Sequence, residues 1–155
     1  ILKLSSGSVG SRSQFVIHLA KQSYLKSKTS YPSPKNGICQ HEIYFSQGKF
    51  SINKAGRSQL EVSASCLRKF PSQNILITGH TDPLKPNYGE GSKLNNVQLG
   101  IRRAEAVMNM LSQKGFDPGR VTITSVGAKS PAVTEKKGTP LKKNRRAVIL
   151  SSPDL

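Results

Sequence analysis

The stretch that most limits what this chain can become is Ile75-Leu76-Ile77-Thr78, which runs directly into Gly79-His80-Thr81-Asp82. A short apolar, β-branched run of this kind reads as a buried strand. The tetrapeptide after it sets a glycine hinge, an imidazole, a hydroxyl and a carboxylate at the strand's exit. About twenty residues later, Arg102-Arg103 lie in the first turns of a strong helical pattern whose apolar side carries Leu99, Val107, Met110 and Leu111. A carboxylate that closes a strand and a guanidinium that opens the next helix suit a ligand bearing both an ammonium and a carboxylate. Asp82 accepts from the first, and an arginine grips the second with two parallel N–H bonds. Arg103 shares the side of Leu99, whereas Arg102 is turned about 100° away, so the two arginines have different tasks.

The rest of the chain supplies a scaffold for that stretch. Glu42–Phe45 is a candidate first strand, and Gln47-Gly48 begins a turn. Asn53 caps a helix that reaches about Phe70, with Leu60, Ala64 and Leu67 on one buried face. Arg68 and Lys69 form its solvated, dipole-matched end, and Pro71 stops it. Asn74–Thr78 is the central strand, and a second helix spans about Val97 to Lys114, closed by Gly115 in a left-handed conformation. Val121–Val126 alternates as a strand, Gly127–Pro140 is a turn-rich loop, and Arg146–Leu150 is the last strand. The order strand, helix, strand, helix, strand, strand predicts an α/β two-layer sandwich, a β-α-β-α-β-β sheet with both helices on one face.

Residues 1–38 stand apart from this unit: a Ser/Gly-rich start, an apolar run at Phe15–Ala20 that reads as a strand, and a proline-containing linker. They contain six Lys or Arg and no acid. The expected division is therefore a basic N-terminal segment and linker over 1–38, the main domain over 39–151 and a tail over 152–155. Across 155 residues, 24 basic side chains face 8 acidic ones, a net charge of +16. Such a balance calls for an anionic partner, whether nucleic acid, a wall polymer or lipid headgroups. No stretch approaches the roughly 20 apolar residues of a membrane span. The start at Ile1 reads as that of a mature or excised fragment.

Each candidate residue also has a plain structural reading. Asp82 taken alone would cap its own loop. Asn96 is either a helix cap or a ligand contact. His80 beside a carboxylate suggests a general base or a metal pair, but no third ligand and no activated nucleophile accompanies it. It reads instead as a loop-fixing histidine, so neither enzymatic activity, a metal nor a cofactor is expected. Cys39 and Cys66 are compatible with a disulfide in an oxidising compartment, or with Cys66 as a small core residue. Alternation along the last strand sends Arg145 and Arg146 to opposite faces, one of them at the pocket rim.

Four motifs in order carry a family likeness: Gly79-His80-Thr81-Asp82; Asn96-x-x-Leu99-x-x-x-Arg103-Ala104-x-x-Val107; Gly127-x-x-x-Pro131; and Asn144-Arg145-Arg146. Together they resemble the OmpA-like peptidoglycan-binding domain family, over roughly residues 42–151. Its members include the OmpA C-terminal domain, the lipoprotein Pal and the periplasmic part of the stator protein MotB. The resemblance implies that Asp82 and Arg103 hold the diaminopimelate of the peptidoglycan stem peptide, with Asn96 and Thr81 in support and Arg146 at the rim. It implies a periplasmic, non-catalytic wall anchor of a membrane, secretion or motor-type complex. An upstream anchor and a homodimer of the MotB type both fit. The loop from Asp82 to Asn96 is closer in length to that of MotB. Two departures stand out: the family usually has Leu-Ser where this chain has Leu99-Gly100, and a second glycine where it has Ser125. The competing reading, a nucleic-acid-binding protein, rests on charge alone and lacks a helix-turn-helix, zinc or base-stacking signature. A wall hydrolase would need a catalytic constellation that the chain does not offer.

Overall fold

A computed structural model describes residues 35–84, 89–133 and 141–155. The readings made for residues 1–34, including the strand at Phe15–Ala20, and for the second half of the Gly127–Pro140 loop lie outside these residues. Six main elements follow in order: β1 (Cys39–Tyr44), α1 (Lys54–Leu67), β2 (Ile75–His80), α2 (Asn96–Gln113), β3 (Val121–Gly127) and β4 (Arg146–Ser151). The strands form one sheet in the order β1-β4-β2-β3. β4 pairs antiparallel with both β1 and β2, and β2 pairs parallel with β3. The parallel pair needs a long crossover, and α2 provides it.

Alternation decides which side chains enter the core. Ile43, Ile75, Ile77, Ala147 and Ile149 are fully buried on the helix side of the sheet. They meet Leu60, Ala64 and Leu67 from α1 and Ala104, Val107 and Leu111 from α2. α1 packs chiefly on β1, and α2 on β2 and β3. The expected two-layer arrangement is therefore present, with Met110 only half-buried at the edge of its helix face.

Two boundaries move for physical reasons. β1 begins at Cys39, three residues before the expected Glu42, because pairing with β4 extends the strand through the polar Gln40 and His41. β2 continues to His80 through its ladder with β3, with a register shift at Gly79/His80. Arg68 is not freely solvated; its guanidinium lies over the Phe116 ring, 5.5 Å from the centroid. The cysteines are bonded: Cys39 and Cys66, with Cα atoms 5.9 Å apart, join the start of β1 to the last turn of α1.

The register also defines two poles. Cys39, Ile75, Val121 and Ser151 lie at one end of the sheet. Tyr44, His80, Gly127 and Arg146 lie at the other, beside the start of each helix. All candidate ligand residues gather at this second pole.

Candidate functional site

The site is set by how closely α2 approaches β2. A Cβ on Gly79 would fall 1.8 Å from the carbonyl oxygen of Gly100, so the helix backbone rests directly on the strand's last turn. α2 starts with a capping box: the Asn95 side chain accepts from Gln98 N, and Gln98 Oε1 accepts from Asn95 N. Asn95 is thus the cap, and Asn96 is the first residue of the helix proper. Freed from capping, the Asn96 Oδ1 is buried with no hydrogen-bond partner among the described residues. Gly127, in a left-handed conformation (φ 54°), packs against the Asn96–Val97 peptide, and its carbonyl accepts from Thr81 N at 2.9 Å. Thr81 Oγ1 is likewise buried and unbonded. Two orphaned oxygens therefore sit on residues joined through one glycine, an arrangement that folded proteins seldom leave without a partner.

Asp82 follows immediately and is 5% exposed. Its Oδ2 accepts from Arg145 Nη1 at 3.1 Å, while Arg145 Nε donates to Phe45 O. Arg103 is fully buried. Its Nε donates to Lys49 O at 2.9 Å and its Nη1 to His80 O at 2.8 Å, and it lies 5.3 Å from the Phe45 ring centroid. Burial pulls the Arg103 pKa down to about 10, Asp82 opposes that shift, and Arg145 adds to it. The guanidinium still remains charged near neutrality. Two guanidiniums thus share one carboxylate in a desolvated setting, leaving a local excess of one positive charge. Arg103 is held by the chain around Lys49, which Glu90 in turn secures by accepting from Phe50 N, Ser51 N and Ser51 Oγ.

A direct Arg103–Asp82 ion pair is not formed; Arg145 is the partner of Asp82, and Arg103 acts on it through space while bracing two backbone carbonyls. Arg145, not Arg146, is the arginine that pairs with Asp82. Arg146 does point to the opposite face, where it lies beside Glu42 with Nε–Oε1 at 3.3 Å. The alternation was legible, but its phase was not. It is fixed by Asn144, whose side chain donates to Val133 O and accepts from Val133 N, anchoring the turn that launches β4. His80 Nδ1 lies 3.2 Å from Ser130 O, and burial, with Arg146 nearby, holds its pKa below the ordinary range. It therefore fixes the loop after β3 as a neutral ring. Among the described residues, no three His, Cys, Asp or Glu side chains converge on one point.

Fold and site together define a two-layer α/β domain with a buried, charged and partly unsatisfied cluster at the carboxyl end of β2. Residues 44–145 match the OmpA family, and the chain belongs to it. It is 35% identical over 107 residues to a protein named peptidoglycan-associated lipoprotein from Pasteurella multocida, covering 69% of this chain and 67% of that one. The chain thus spans about two thirds of that relative's length. The crystal structure of the peptidoglycan-associated lipoprotein from Burkholderia pseudomallei superposes with a TM-score of 0.59 at 28% identity, covering 72% of this chain and 90% of that one. The periplasmic domain of Helicobacter pylori MotB shares the fold at a TM-score of 0.64 and 23% identity, over 76% and 74% of the two chains.

Proposed function

We propose that this chain is a non-catalytic module that binds peptidoglycan through the diaminopimelate of the stem peptide. In the periplasm it holds a membrane-attached complex to the cell wall. The observation that carries the reading is the buried Asp82 flanked by Arg145 and Arg103, with Thr81 Oγ1 and Asn96 Oδ1 unbonded beside it. The side-chain end of diaminopimelate carries an ammonium and a carboxylate on one carbon. The ammonium donates to Asp82, Asn96 and Thr81; the carboxylate accepts from the guanidinium pair. No bond of the ligand is made or broken. Membership in the OmpA family and the likeness to proteins named as peptidoglycan-associated support the choice of polymer. No helix among the described residues is long and apolar enough to cross a membrane.

Each charged hydrogen bond contributes about 1.5–3 kcal/mol. A single stem peptide binds weakly, and the crosslinked wall retains the protein through many such anchors. The test is co-sedimentation with purified diaminopimelate-type peptidoglycan at moderate salt, for wild type, Asp82→Asn and Arg103→Ala. Wild type is expected to pellet, and both variants to remain largely in solution. Arg103→Ala also strands the Lys49 and His80 carbonyls, so Asp82→Asn, checked for an unchanged Tm, is the decisive variant. Equal pelleting of all three would mean that the +16 charge adheres without a site, and would sink the proposal.

A further inference from the structure

Beside the ion pair lies a second compartment. A cavity of about 430 Å³, within the range of small-ligand sites, is lined by Tyr44, Asn53, Gln59, Lys142, Lys143 and Arg145 among others. We infer that this cavity receives a second free carboxylate of the same stem peptide, borne by the residue next to the diaminopimelate. The inference rests on the wall-binding reading and extends it to what the site demands of the ligand.

The hydrogen-bonding capacity of the cavity argues for an anion. Gln59 Oε1 already accepts from Tyr44 N, and Asn53 Oδ1 from Gly56 N. Their acceptors are committed within the protein, which leaves amide N–H groups as what these side chains have to offer. Lys142 and Lys143 add two ammoniums, and among the described residues neither is in an ion pair. No carboxylate lines the space. Arg145 links the buried cluster to this cavity: it bonds Asp82 and also borders the cavity. Groups on adjacent residues of one peptide can therefore reach both. The lysines stand at an exposed mouth, whereas Arg145 is 17% exposed, so an anion entering past the lysines meets a guanidinium at depth. Apart from the Ser46 hydroxyl, the side chains bordering the cavity offer mainly donors, so an amide in place of the carboxylate brings an NH₂ group against like donors.

The experiment uses two soluble probes, an alanyl-glutamyl-diaminopimelate tripeptide and the same peptide with its glutamyl carboxylate amidated. Affinities are measured by titration calorimetry at fixed ionic strength. Wild type is expected to bind the amidated peptide about tenfold more weakly, the loss of one charge-assisted contact. The double variant Lys142→Gln/Lys143→Gln should bind both peptides alike. A charge-matched control at the opposite pole, Lys69→Gln/Lys114→Gln, should keep the wild-type preference. Equal affinity of wild type for both peptides would overturn the inference, as would a control that loses the preference as fully as the cavity variant. Failure of the underlying reading looks different: neither peptide binds, or Asp82→Asn binds both as wild type does.

Discussion

Gly79, Gly100 and Ser125 meet where α2 rests on the sheet, and this contact joins two of the positions at which the chain departs from the pattern it resembles. A Cβ on Gly100 would lie 2.0 Å from Ser125 Oγ, and that hydroxyl donates to Gly79 O at 3.3 Å. Where the family usually carries serine on the helix and glycine on the strand, this chain carries the reverse. Here the hydroxymethyl group stands on the strand and fills the space beside Gly100 from that side. Gly100→Ser alone therefore destabilises: helix propensity improves by only about 0.5 kcal/mol, while overpacking costs about 1–3 kcal/mol. Adding Ser125→Gly should recover most of the loss. A double-mutant cycle by urea denaturation is expected to give a coupling of more than about 1 kcal/mol, and additive effects would refute the exchange. At this scale the sequence pointed to Asp82, Thr81 and Asn96, which the structure gathers at one pole of the sheet. It did not reveal Arg145, because the phase of a strand depends on where its first residue is anchored, here by Asn144 and Val133, eleven positions apart.

The helices were legible because their signals are local. Periodicity placed α1 and α2, and cap chemistry placed their starts to within a residue. Adjacent asparagines defeated only the last step, since either could cap, and the Gln98 side chain selected Asn95. The assignment separates two roles that a deletion would confuse. Asn95→Ala should cost about 1 kcal/mol of stability and leave peptidoglycan retention intact. Asn96→Ala should change stability by no more than about 0.5 kcal/mol and reduce retention. Thermal unfolding paired with the pelleting assay distinguishes them, and a reversal of the two outcomes would return Asn96 to a purely structural role. Strands were less legible than helices. β1 reads Cys-Gln-His-Glu-Ile-Tyr, a pattern with little apolar content of its own, and it is a strand because β4 pairs with all six of its residues.

For the whole molecule, element order was enough to expect two layers, while the order of strands in the sheet was set by contacts far apart in sequence. That order has a mechanical meaning. Whatever precedes Cys39 enters the domain at one pole, and Asp82 lies at the other. A pull between tether and wall therefore runs lengthwise along β1 and β4, loading their cross-strand bonds together in shear rather than opening them one at a time. At the point where the load enters, Cys39 is locked to the last turn of α1, so the edge strand cannot peel without dragging a core helix with it. The crosslink should add about 2–4 kcal/mol at equilibrium. Its larger effect should appear under tension, where the unfolding rate governs survival. Single-molecule pulling from the N-terminal side against an Asp82-proximal attachment should give a high rupture force that drops sharply on reduction or in Cys39→Ser/Cys66→Ser. Equal forces in both states would mean that load bypasses β1. A domain wired in this way should behave as a rivet along the line from Cys39 to Asp82.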